Sequence, residues 1–427
     1  MSRIVIIGAG AMGLAAAHRA VTLGHQVDLI EADAVAGGMA AHFDFGGLSI
    51  ERFYHFVCKS DAPTFDLMRE LGIGDRMRWR PTSMGYFMKG RIHPWGDPIS
   101  LLRFPHLSFL AKLRTGIQMF LTTKARSFSS IEHKSARQWL EGGSGREVYQ
   151  TLWKRLMELK FYELADDISA SWIATRVRRI GNSRRSIFQE ELGYIEGGSQ
   201  TLVDALVKAF TDKGGRLHLS MPAQKVVTEN GRVTGVQAGE RFFPADAVIS
   251  TVPTPYISTL VPDLPAASKA QYDAIRNIGV VCLLFKLKTS VSRNFWVNIV
   301  DETIDIPGII EFSNLRPVQD TVVYVPYYMP TSQPKWQWSD DQFIDEAFGY
   351  IRKVNPAIAP SDLLEAKVGR LKYAQPVCEP NFYAKLPPIQ TPITGLQIAD
   401  TCYYYPEDRG IAESIRYGRR MAEAVAR

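Results

Sequence analysis

The chain has few cysteines, no long apolar run and no cluster of metal-ligating residues, and each absence excludes a class of protein. Its cysteines lie far apart without a C-x-x-C pair; they are Cys58, Cys282, Cys378 and Cys402. This spacing argues against a zinc site, so we expect no metal. It also argues against a disulfide framework and favours a reducing compartment. No apolar stretch approaches the roughly 20 residues that span a bilayer. Because Met1 leads directly into an apolar strand pattern, we expect no signal peptide and a cytoplasmic protein, with a peripheral position on the inner face of a membrane as the alternative.

The 427 residues carry a formal net charge of +6, and the positive excess is concentrated in two segments. From Arg76 to Arg126 there are ten basic residues against one acid, Asp97. A second cluster holds five arginines without an acid: Arg176, Arg178, Arg179, Arg184 and Arg185. Such positive fields attract anionic partners. No nucleic-acid-binding motif accompanies them, so we expect no nucleic acid but a phosphorylated substrate or an anionic membrane surface; a solvated basic face is the alternative.

The first thirty-one residues carry a pattern typical of dinucleotide binding. A β-branched run, Ile4 to Ile7, leads into a G-x-G-x-x-G formed by Gly8, Gly10 and Gly13, followed by a helical stretch and a second strand that ends at Glu31. Gly8 permits the tight turn, Gly10 lets the backbone approach a pyrophosphate, and Gly13 lets helix and strand pack closely. The acid is placed to accept hydrogen bonds from ribose hydroxyls. The alternative is a βα turn without a ligand.

Four signatures in chain order resemble the flavin-containing amine oxidase and protoporphyrinogen oxidase superfamily. They are the start GAGAMGLAAA with AGGMA after the acid, the stretch Tyr194 to Leu202, the hairpin from Val226 to Ile249, and Gly395 to Asp400 with Gly410-Ile411. Phytoene desaturases are relatives, and UDP-galactopyranose mutases are more distant ones. The resemblance implies FAD rather than NAD, and only one dinucleotide fingerprint is present. Motif and resemblance together predict these FAD contacts: Gly8, Gly10, Ala11, Met12, Gly13, Glu31, Ala32, Gly37, Gly38, Met39, Val226, Asp400, Gly410 and Ile411.

The resemblance also implies the fold class, which is α/β. We expect a Rossmann-like FAD-binding domain (GR2-type, a parallel sheet with a β-meander) and an inserted α+β substrate domain. The FAD-binding domain is predicted to be discontinuous, over residues 1–75, 190–255 and 387–427. The substrate domain is predicted over residues 76–189 and 256–386.

The substrate domain should contain several elements that can be placed by pattern. A hairpin is predicted over residues 85–94 with its turn at Lys89-Gly90, and strands are predicted over residues 280–287 and 321–328. Ser339 and Gln342 form a capping box for a helix that reaches Val354. A helical tract is expected over residues 153–180. Residues 106–121 show an apolar helical stripe that predicts core packing; the alternative is a basic amphipathic helix on a membrane.

Two departures from the superfamily bear on the chemistry. Amine oxidases commonly carry a lysine in the strand that matches residues 280–285, whereas this chain has no lysine there before Lys286. Amine oxidation is therefore disfavoured. Cys402 follows Asp400, but its position does not match the attachment cysteine of amine oxidases, so we expect FAD to be non-covalent.

The predicted activity is an FAD-dependent oxidoreductase that dehydrogenates or desaturates a bulky substrate, with a polyprenyl or lipid-linked anionic one favoured. Candidate substrate contacts, chosen by residue type and location, are Arg52, Arg91, Lys154, Arg176 and Tyr194. His55 is the candidate acid/base, because the usual pKa of histidine suits proton transfer near neutrality. The electron acceptor is expected to be dioxygen, a quinone or another carrier.

Two alternatives remain open from the sequence. One is a flavin-dependent isomerase without net redox change, similar to UDP-galactopyranose mutase and acting on a nucleotide sugar. The other is a flavoprotein that binds a lipid or a partner without turnover.

Overall fold

The computed structural model describes residues 1–425 as a mixed α/β protein with a five-stranded parallel sheet and a seven-stranded mixed sheet. The strands are β1 (Arg3–Ile7), β2 (Gln26–Ile30), β3 (His42–Phe45), β4 (Leu48–Glu51), β5 (Met77–Thr82), β6 (Met84–Met88), β7 (Arg91–Trp95), β8 (Arg184–Ser186), β9 (Gln189–Ile195), β10 (Arg216–His218), β11 (Lys225–Glu229), β12 (Arg232–Ala238), β13 (Arg241–Pro244), β14 (Ala247–Ser250), β15 (Asn277–Leu287), β16 (Trp296–Ile299), β17 (Gly308–Glu311), β18 (Thr321–Met329), β19 (Leu363–Pro376) and β20 (Leu396–Ile398). The helices are α1 (Ala11–Thr22), α2 (Ala62–Glu70), α3 (Pro98–Arg103), α4 (Phe109–Lys124), α5 (Ala136–Gly143), α6 (Arg146–Val148), α7 (Lys154–Phe161), α8 (Ala170–Asn182), α9 (Ser199–Asp212), α10 (Ile257–Leu260), α11 (Ala266–Asp273), α12 (Asp340–Val354) and α13 (Ile411–Val425).

The parallel sheet has the strand order β10-β2-β1-β14-β20, and each neighbouring pair is parallel. Strand β1 is buried on both faces, because successive side chains point to opposite sides of a sheet. Ile4 and Ile6 pack in one hydrophobic cluster with α1, α9 and α13, whereas Val5 and Ile7 pack in another with β11 to β13. These last three strands form an antiparallel meander. The α/β fold with a parallel sheet and a β-meander is thereby confirmed.

The mixed sheet has the order β19-β15-β18-β17-β16-β6-β7. The two strands predicted by composition pair antiparallel, with Val280 opposite Tyr328. The predicted hairpin is present as β6 and β7, whose turn holds Lys89 and Gly90 at positive φ. The capping box of Ser339 and Gln342 starts α12, as expected. In this part of the chain local sequence patterns predict the elements correctly.

The apolar stripe of residues 106–121 is the clearest error in the sequence prediction. A helix is present there as α4, but its buried residues are small or polar: Ala111, Thr115, Gln118 and Thr122. The large apolar side chains face outward, and Phe109 and Phe120 are 74% and 62% exposed. The prediction of core packing is wrong, because periodicity shows that a helix has an apolar face but not which face the rest of the chain covers.

The helical tract over residues 153–180 is also interrupted. Helix α7 ends at Phe161, and α8 begins at Ala170 after a segment that starts with Tyr162 at a φ of 53°. A non-glycine residue in this region of φ cannot continue a right-handed helix. The break turns the chain so that both helices line the same cavity.

A buried ion pair connects β4 to the segment before β18. Arg316 Nη1 lies 2.8 Å from Glu51 Oε2, and both side chains are at least nine-tenths buried. The second carboxylate oxygen of Glu51 accepts a hydrogen bond from the backbone N–H of Ser199 at 3.1 Å. Tyr324 donates its hydroxyl to the backbone oxygen of Glu51 at 2.6 Å. Glu51 therefore connects three segments that are distant in the chain, through its carboxylate and its backbone oxygen.

Candidate active site

A cavity of about 1260 Å³ lies between the two sheets. It exceeds the roughly 300–1,000 Å³ of ordinary ligand pockets, so it has room for a large cofactor and a substrate together. Gly10 and Asp400 line it from the parallel-sheet half, and Val280 and Tyr328 line it from the mixed-sheet half. The site is thus built where the carboxyl ends of parallel strands meet the face of a second sheet.

The glycine-rich loop has the mechanics that its spacing predicts. Gly8 has a φ of +98°, and a Cβ on Gly13 would lie 1.8 Å from the backbone oxygen of Gly8. A Cβ on Gly10 would meet no atom within 4 Å. Helix α1 starts at this loop without a side-chain cap, so its first N–H groups and the positive end of its dipole are available to a pyrophosphate. The loop therefore fits the phosphates of a dinucleotide.

Glu31 lies beside the same loop and lines the cavity. Its two carboxylate oxygens accept hydrogen bonds from the backbone N–H groups of Ala9 at 2.6 Å and Asp33 at 2.9 Å. Each oxygen keeps a second lone pair, so the acid can still accept from ribose hydroxyls. The backbone N–H of Gly37 donates to Ala9 at 2.8 Å, which brings the second glycine turn against the first. The predicted contacts in this part that line the cavity are Gly8, Gly10, Ala11, Met12, Glu31, Ala32, Gly37, Gly38 and Met39.

Asp400 also lines the cofactor half of the cavity. Its carboxylate accepts from the backbone N–H groups of Cys402 at 2.8 Å and Thr254 at 2.6 Å. Burial raises the pKa of Asp400, and these hydrogen bonds oppose the shift. Gly410 and Ile411, at the start of α13, line the cavity. Gly13 and Val226 do not line the cavity. Gly13 packs against Gly8. Val226 is buried in the hydrophobic cluster shared by the meander and β1, while its neighbours Ala223 and Gln224 face the cavity.

Three of the six candidate substrate residues line the cavity: Arg52, His55 and Arg176. Arg52 lies at the cofactor end, because it forms an ion pair with Asp33, two residues after Glu31. His55 is half-buried, and burial lowers the pKa of its imidazole even though Glu51 acts to raise it. Its Nδ1 has no hydrogen-bond partner within residues 1–425. A neutral histidine with a free ring nitrogen can accept a proton.

The other three candidates, Arg91, Lys154 and Tyr194, are outside the cavity lining. Arg91 is exposed at the start of β7, and Lys154 is exposed and 3.7 Å from Glu158. Tyr194 lies in β9, where its register partner is Arg78. Residue type and chain region suggest these three positions, but neither indicates which side of a helix or strand faces a cavity.

The arginine cluster of α8 is neutralised by carboxylates. Arg178 and Arg179 lie 2.7 Å from Glu407 and Asp61, respectively, and Arg176 forms an ion pair with Asp408. Burial acts to raise the pKa of Asp408, but Arg176 and Arg179 outweigh it and hold the pKa below its usual value. The cluster therefore ties α8 to the segment before α13 and is not a free phosphate site.

Strand β15 presents Val280, Cys282 and Leu284 to the cavity. Lys286 follows at the next position of the same face, but its Nζ donates to the backbone oxygen of Gly46 at 2.9 Å, beyond the cavity lining. The strand thus offers an apolar surface where amine oxidases commonly place a lysine. Burial raises the pKa of the Cys282 thiol, so it remains protonated and unreactive.

Lys160 is the lining residue that sequence reasoning missed. Its Nζ lies over three aromatic rings, at 4.6 Å from the centroid of Tyr328, 5.2 Å from Trp172 and 5.5 Å from Phe161. Burial lowers its pKa well below the usual value, and Arg176 and Arg409 add to the effect. The sequence carries no signal for this residue, because a lysine near a helix end usually extends into solvent.

The described residues contain neither a metal-type cluster nor a membrane-crossing helix. Among residues 1–425, no three His, Cys, Asp or Glu side chains are grouped as a metal site requires. In the same range, every helix is too short or too polar to span a bilayer. All four cysteines are buried and free.

Comparisons with known proteins agree with this geometry. The family described as "Flavin containing amine oxidoreductase" matches residues 13–426. A 15-cis-phytoene desaturase of Synechococcus elongatus is 24% identical over 311 residues, which is 65% of this chain and 64% of the relative. The chain thus aligns with less than two thirds of that relative's length.

Solved structures extend the likeness over the whole fold. A protein described as a protoporphyrinogen oxidase of Exiguobacterium sp. 255-15 superposes with a TM-score of 0.75 at 16% identity, covering 99% of this chain and 98% of that one. Reduced UDP-galactopyranose mutase gives a TM-score of 0.76 at 16% identity, covering 100% and 96%. Identities this low establish the shared fold alone.

An uncapped glycine-rich helix start, with an acid at the end of the next strand, is the geometry of a dinucleotide-binding protein. The family match covers nearly the entire chain. The chain belongs to the flavin-containing amine oxidoreductase family.

Proposed function

We propose that the protein binds FAD non-covalently and dehydrogenates or desaturates a bulky, largely apolar substrate. The observation that carries this proposal is a single cavity with two chemically different ends. One end has the glycine loop, Glu31 and Asp400, and the other is lined by aromatic and aliphatic side chains. These include Tyr54, Trp153, Leu156, Met157, Phe161, Trp172, Trp296 and Tyr328.

The residues that would hold FAD follow from the cavity's first end. The N–H groups at the start of α1 would bind the pyrophosphate, and Glu31 would accept from the adenosine ribose. The start of α13, at Gly410 and Ile411, would place its positive end near the flavin. Cys402 supports non-covalent binding, because its side chain is buried outside the cavity lining. When bound, the flavin supplies the acceptor for a hydride and passes the electrons on to dioxygen, a quinone or another carrier.

The chain's own residues would orient the substrate and exclude water. The aromatic walls pack against its apolar body, and removing water prevents side reactions at the reacting carbon. His55, with a free Nδ1 and a lowered pKa, is the residue that would accept the proton lost from the neighbouring carbon. An anionic group on the substrate would favour the charged form of Lys160, whose pKa burial lowers, whereas the α8 arginines already have carboxylate partners.

The pairing of the α8 arginines with carboxylates disfavours the isomerase alternative. A nucleotide sugar needs free cations for its pyrophosphate, but the three α8 arginines are bound to Asp61, Glu407 and Asp408. The other two arginines of the cluster, Arg184 and Arg185, lie outside the cavity lining. The polyprenyl or lipid-linked substrate remains the favoured class, because its chain matches the apolar walls.

The test is anaerobic addition of candidate substrates to the purified flavoprotein, monitored by visible absorbance. Bleaching of the flavin band by an isoprenoid or lipid supports the proposal. Turnover of a nucleotide sugar only after chemical reduction would support the isomerase instead. A flavin that no candidate reduces would favour a binding protein.

Acid precipitation tests the cofactor linkage separately. A flavin released into the supernatant is non-covalent, and the Cys402→Ala variant should release the same amount. Flavin that stays with the precipitated chain, and is freed by Cys402→Ala, would overturn that part of the proposal.

A further inference from the structure

Helix α4 has its hydrophobic face on the outside of the protein. Its six exposed large apolar residues are Phe109, Leu110, Leu113, Ile117, Phe120 and Leu121, and each is more than half exposed. Their spacing of three and four residues places them on one side of the helix. The opposite side, which packs on the protein, consists of Ala111, Thr115, Gln118 and Thr122. A helix with this arrangement gains no burial energy from its apolar side in the protein alone.

The neighbouring helix α3 extends the same surface. Leu102 is 58% exposed and Ile99 is 47% exposed, and Lys112 Nζ in α4 donates to the backbone oxygen of Leu102 at 2.9 Å. Contiguous exposed apolar surface of this kind marks an interaction site. We call the exposed residues of α3 and α4 the apolar platform.

The chain segment that carries the apolar platform is basic, and the two nearby acids are held at helix starts: Asp97 caps α3, and Glu147 accepts from Ser108 at the start of α4. Residues 98–126 contain five basic residues and no acid. Lys124 lies over the ring of Phe120 with its Nζ 5.7 Å from the centroid, at the edge of the platform. Exposed Arg103 is the last residue of α3, and exposed Arg126 follows α4. Apolar residues flanked by lysine and arginine are typical of helices that lie in the interface of an anionic membrane.

The layer beneath the platform reaches the candidate active site. Phe104, Leu107 and Ala111 pack in a hydrophobic cluster with Val148 and Leu152. Trp153 and Leu156 pack against this cluster and also line the cavity. One apolar layer thus separates the outer face of α3 and α4 from the substrate end of the cavity.

We propose that the apolar platform docks on an anionic lipid bilayer and that the substrate enters from this bilayer. This inference rests on the proposed function for the identity of the substrate, but the docking itself rests on the platform. A second copy of the chain is a poorer occupant, because a symmetric contact would bring the two acid-free basic segments together. An anionic bilayer matches the apolar centre and the basic border at once.

Cosedimentation with vesicles tests the docking. The flavin-loaded protein should bind vesicles of equal phosphatidylglycerol and phosphatidylcholine, and binding should weaken in high salt and with phosphatidylcholine alone. The double variant Ile117→Glu/Leu121→Glu should lower the partition coefficient at least about tenfold, because two inserted side chains are replaced by acids. Lys124→Gln should lower it about fivefold.

A matched control adds the same charge elsewhere. Phe242 and Leu364 are each 45% exposed and lie outside the platform, so Phe242→Glu/Leu364→Glu should bind vesicles like the wild type. Equal loss of vesicle binding in both double variants would overturn the proposal that the platform docks on the bilayer. So would a wild-type protein that ignores anionic vesicles, or a dimer in sedimentation velocity that only Ile117→Glu/Leu121→Glu dissociates.

The two proposals fail in distinguishable ways. Flavin reduction by a detergent-dispersed isoprenoid, without vesicle binding, would overturn docking and leave the proposed function standing. Vesicle binding that depends on the platform, with a flavin that no lipid reduces, would overturn the proposed function and leave docking standing.

Discussion

The side-chain nitrogen of Lys160 lies 4.6 Å from the ring centroid of Tyr328, within a cavity whose walls are otherwise largely apolar. The two residues come from α7 and β18, so only the folded chain brings them together. A lysine with a pKa held low by burial costs stability, and such groups concentrate at functional sites. This relationship makes Lys160 the first residue to test.

We expect Lys160→Met to stabilise the protein and to reduce its activity. The folded state disfavours the charged lysine, whereas the unfolded chain binds the proton up to a pH of about 10.4. The wild-type free energy of unfolding should therefore rise with pH towards that value, and the variant should lack this rise. At pH 7 the variant should be more stable by about 1 kcal/mol in urea unfolding. A variant as active as the wild type would show that Lys160 has no role in the substrate site.

Gly10→Ala should weaken FAD binding without unfolding the protein. Gly10 has a φ of −70°, which alanine adopts freely, and the new Cβ would meet no protein atom within 4 Å. It would instead occupy the space that a pyrophosphate needs. Titration of the apoprotein with FAD should give a Kd at least about tenfold higher. The control is Gly349→Ala, whose new Cβ would also meet no atom within 4 Å; this variant should bind FAD normally. Unchanged affinity in Gly10→Ala would contradict the loop assignment.

Removing one partner of the buried Glu51–Arg316 pair should be costly. Arg316→Met leaves the Glu51 carboxylate buried without its cation, and we expect a loss of about 3–5 kcal/mol in the free energy of unfolding. The double variant Glu51→Gln/Arg316→Met should recover part of that loss. The exposed pair of Arg370 and Asp340 provides the control, where Arg370→Met should cost no more than about 1 kcal/mol. Equal losses at both pairs would argue against the role of burial.

Glu311 should make stability depend on pH near neutrality. Burial raises the pKa of this carboxyl from 4.5 to about 7, and hydrogen bonds from Ser290 and the backbone of Ser292 only partly oppose the shift. Between these pH values the folded state keeps a proton that the unfolded chain releases, so stability should fall as pH rises from 4.5 to 7. The loss should reach at most about 3 kcal/mol.

Glu311→Gln removes the titration while keeping the side-chain size. In urea unfolding at a series of pH values, the variant should lose that component of the pH dependence and become the more stable protein above pH 7. Identical pH profiles for the two proteins would show that Glu311 is ionised at its ordinary value.

The cofactor half could be predicted because its signals are local. Gly8, Gly10 and Gly13 have roles that depend on the turn between one strand and the next helix, and Glu31 ends the strand that follows. The structure brings Gly8, Gly10 and Glu31 to one end of the cavity. Gly13 and Val226 show the limit of motif reasoning: the first serves packing rather than contact, and the second lies next to residues that face the cavity.

The substrate half could not be predicted in the same way. Arg176 looked free in the sequence, but its partner Asp408 is 232 residues away. Lys160 carries no signal in the sequence, and it is enclosed only because α7 ends beside it and β18 packs against α7. Contacts between segments so far apart leave no pattern in either segment.

The sequence by itself determined the dinucleotide loop, the capping box of α12 and the existence of an amphipathic helix near residue 115, because each depends on neighbours within a turn or a strand. The α/β class followed from the resemblance of its motifs to a known family. Only the tertiary structure decided that α4 turns its small and polar face inward, that carboxylates neutralise the α8 arginines, and that Lys160 faces the cavity. Periodicity shows that a helix has two unlike faces, but the choice of the face to bury depends on the packing of the rest of the chain.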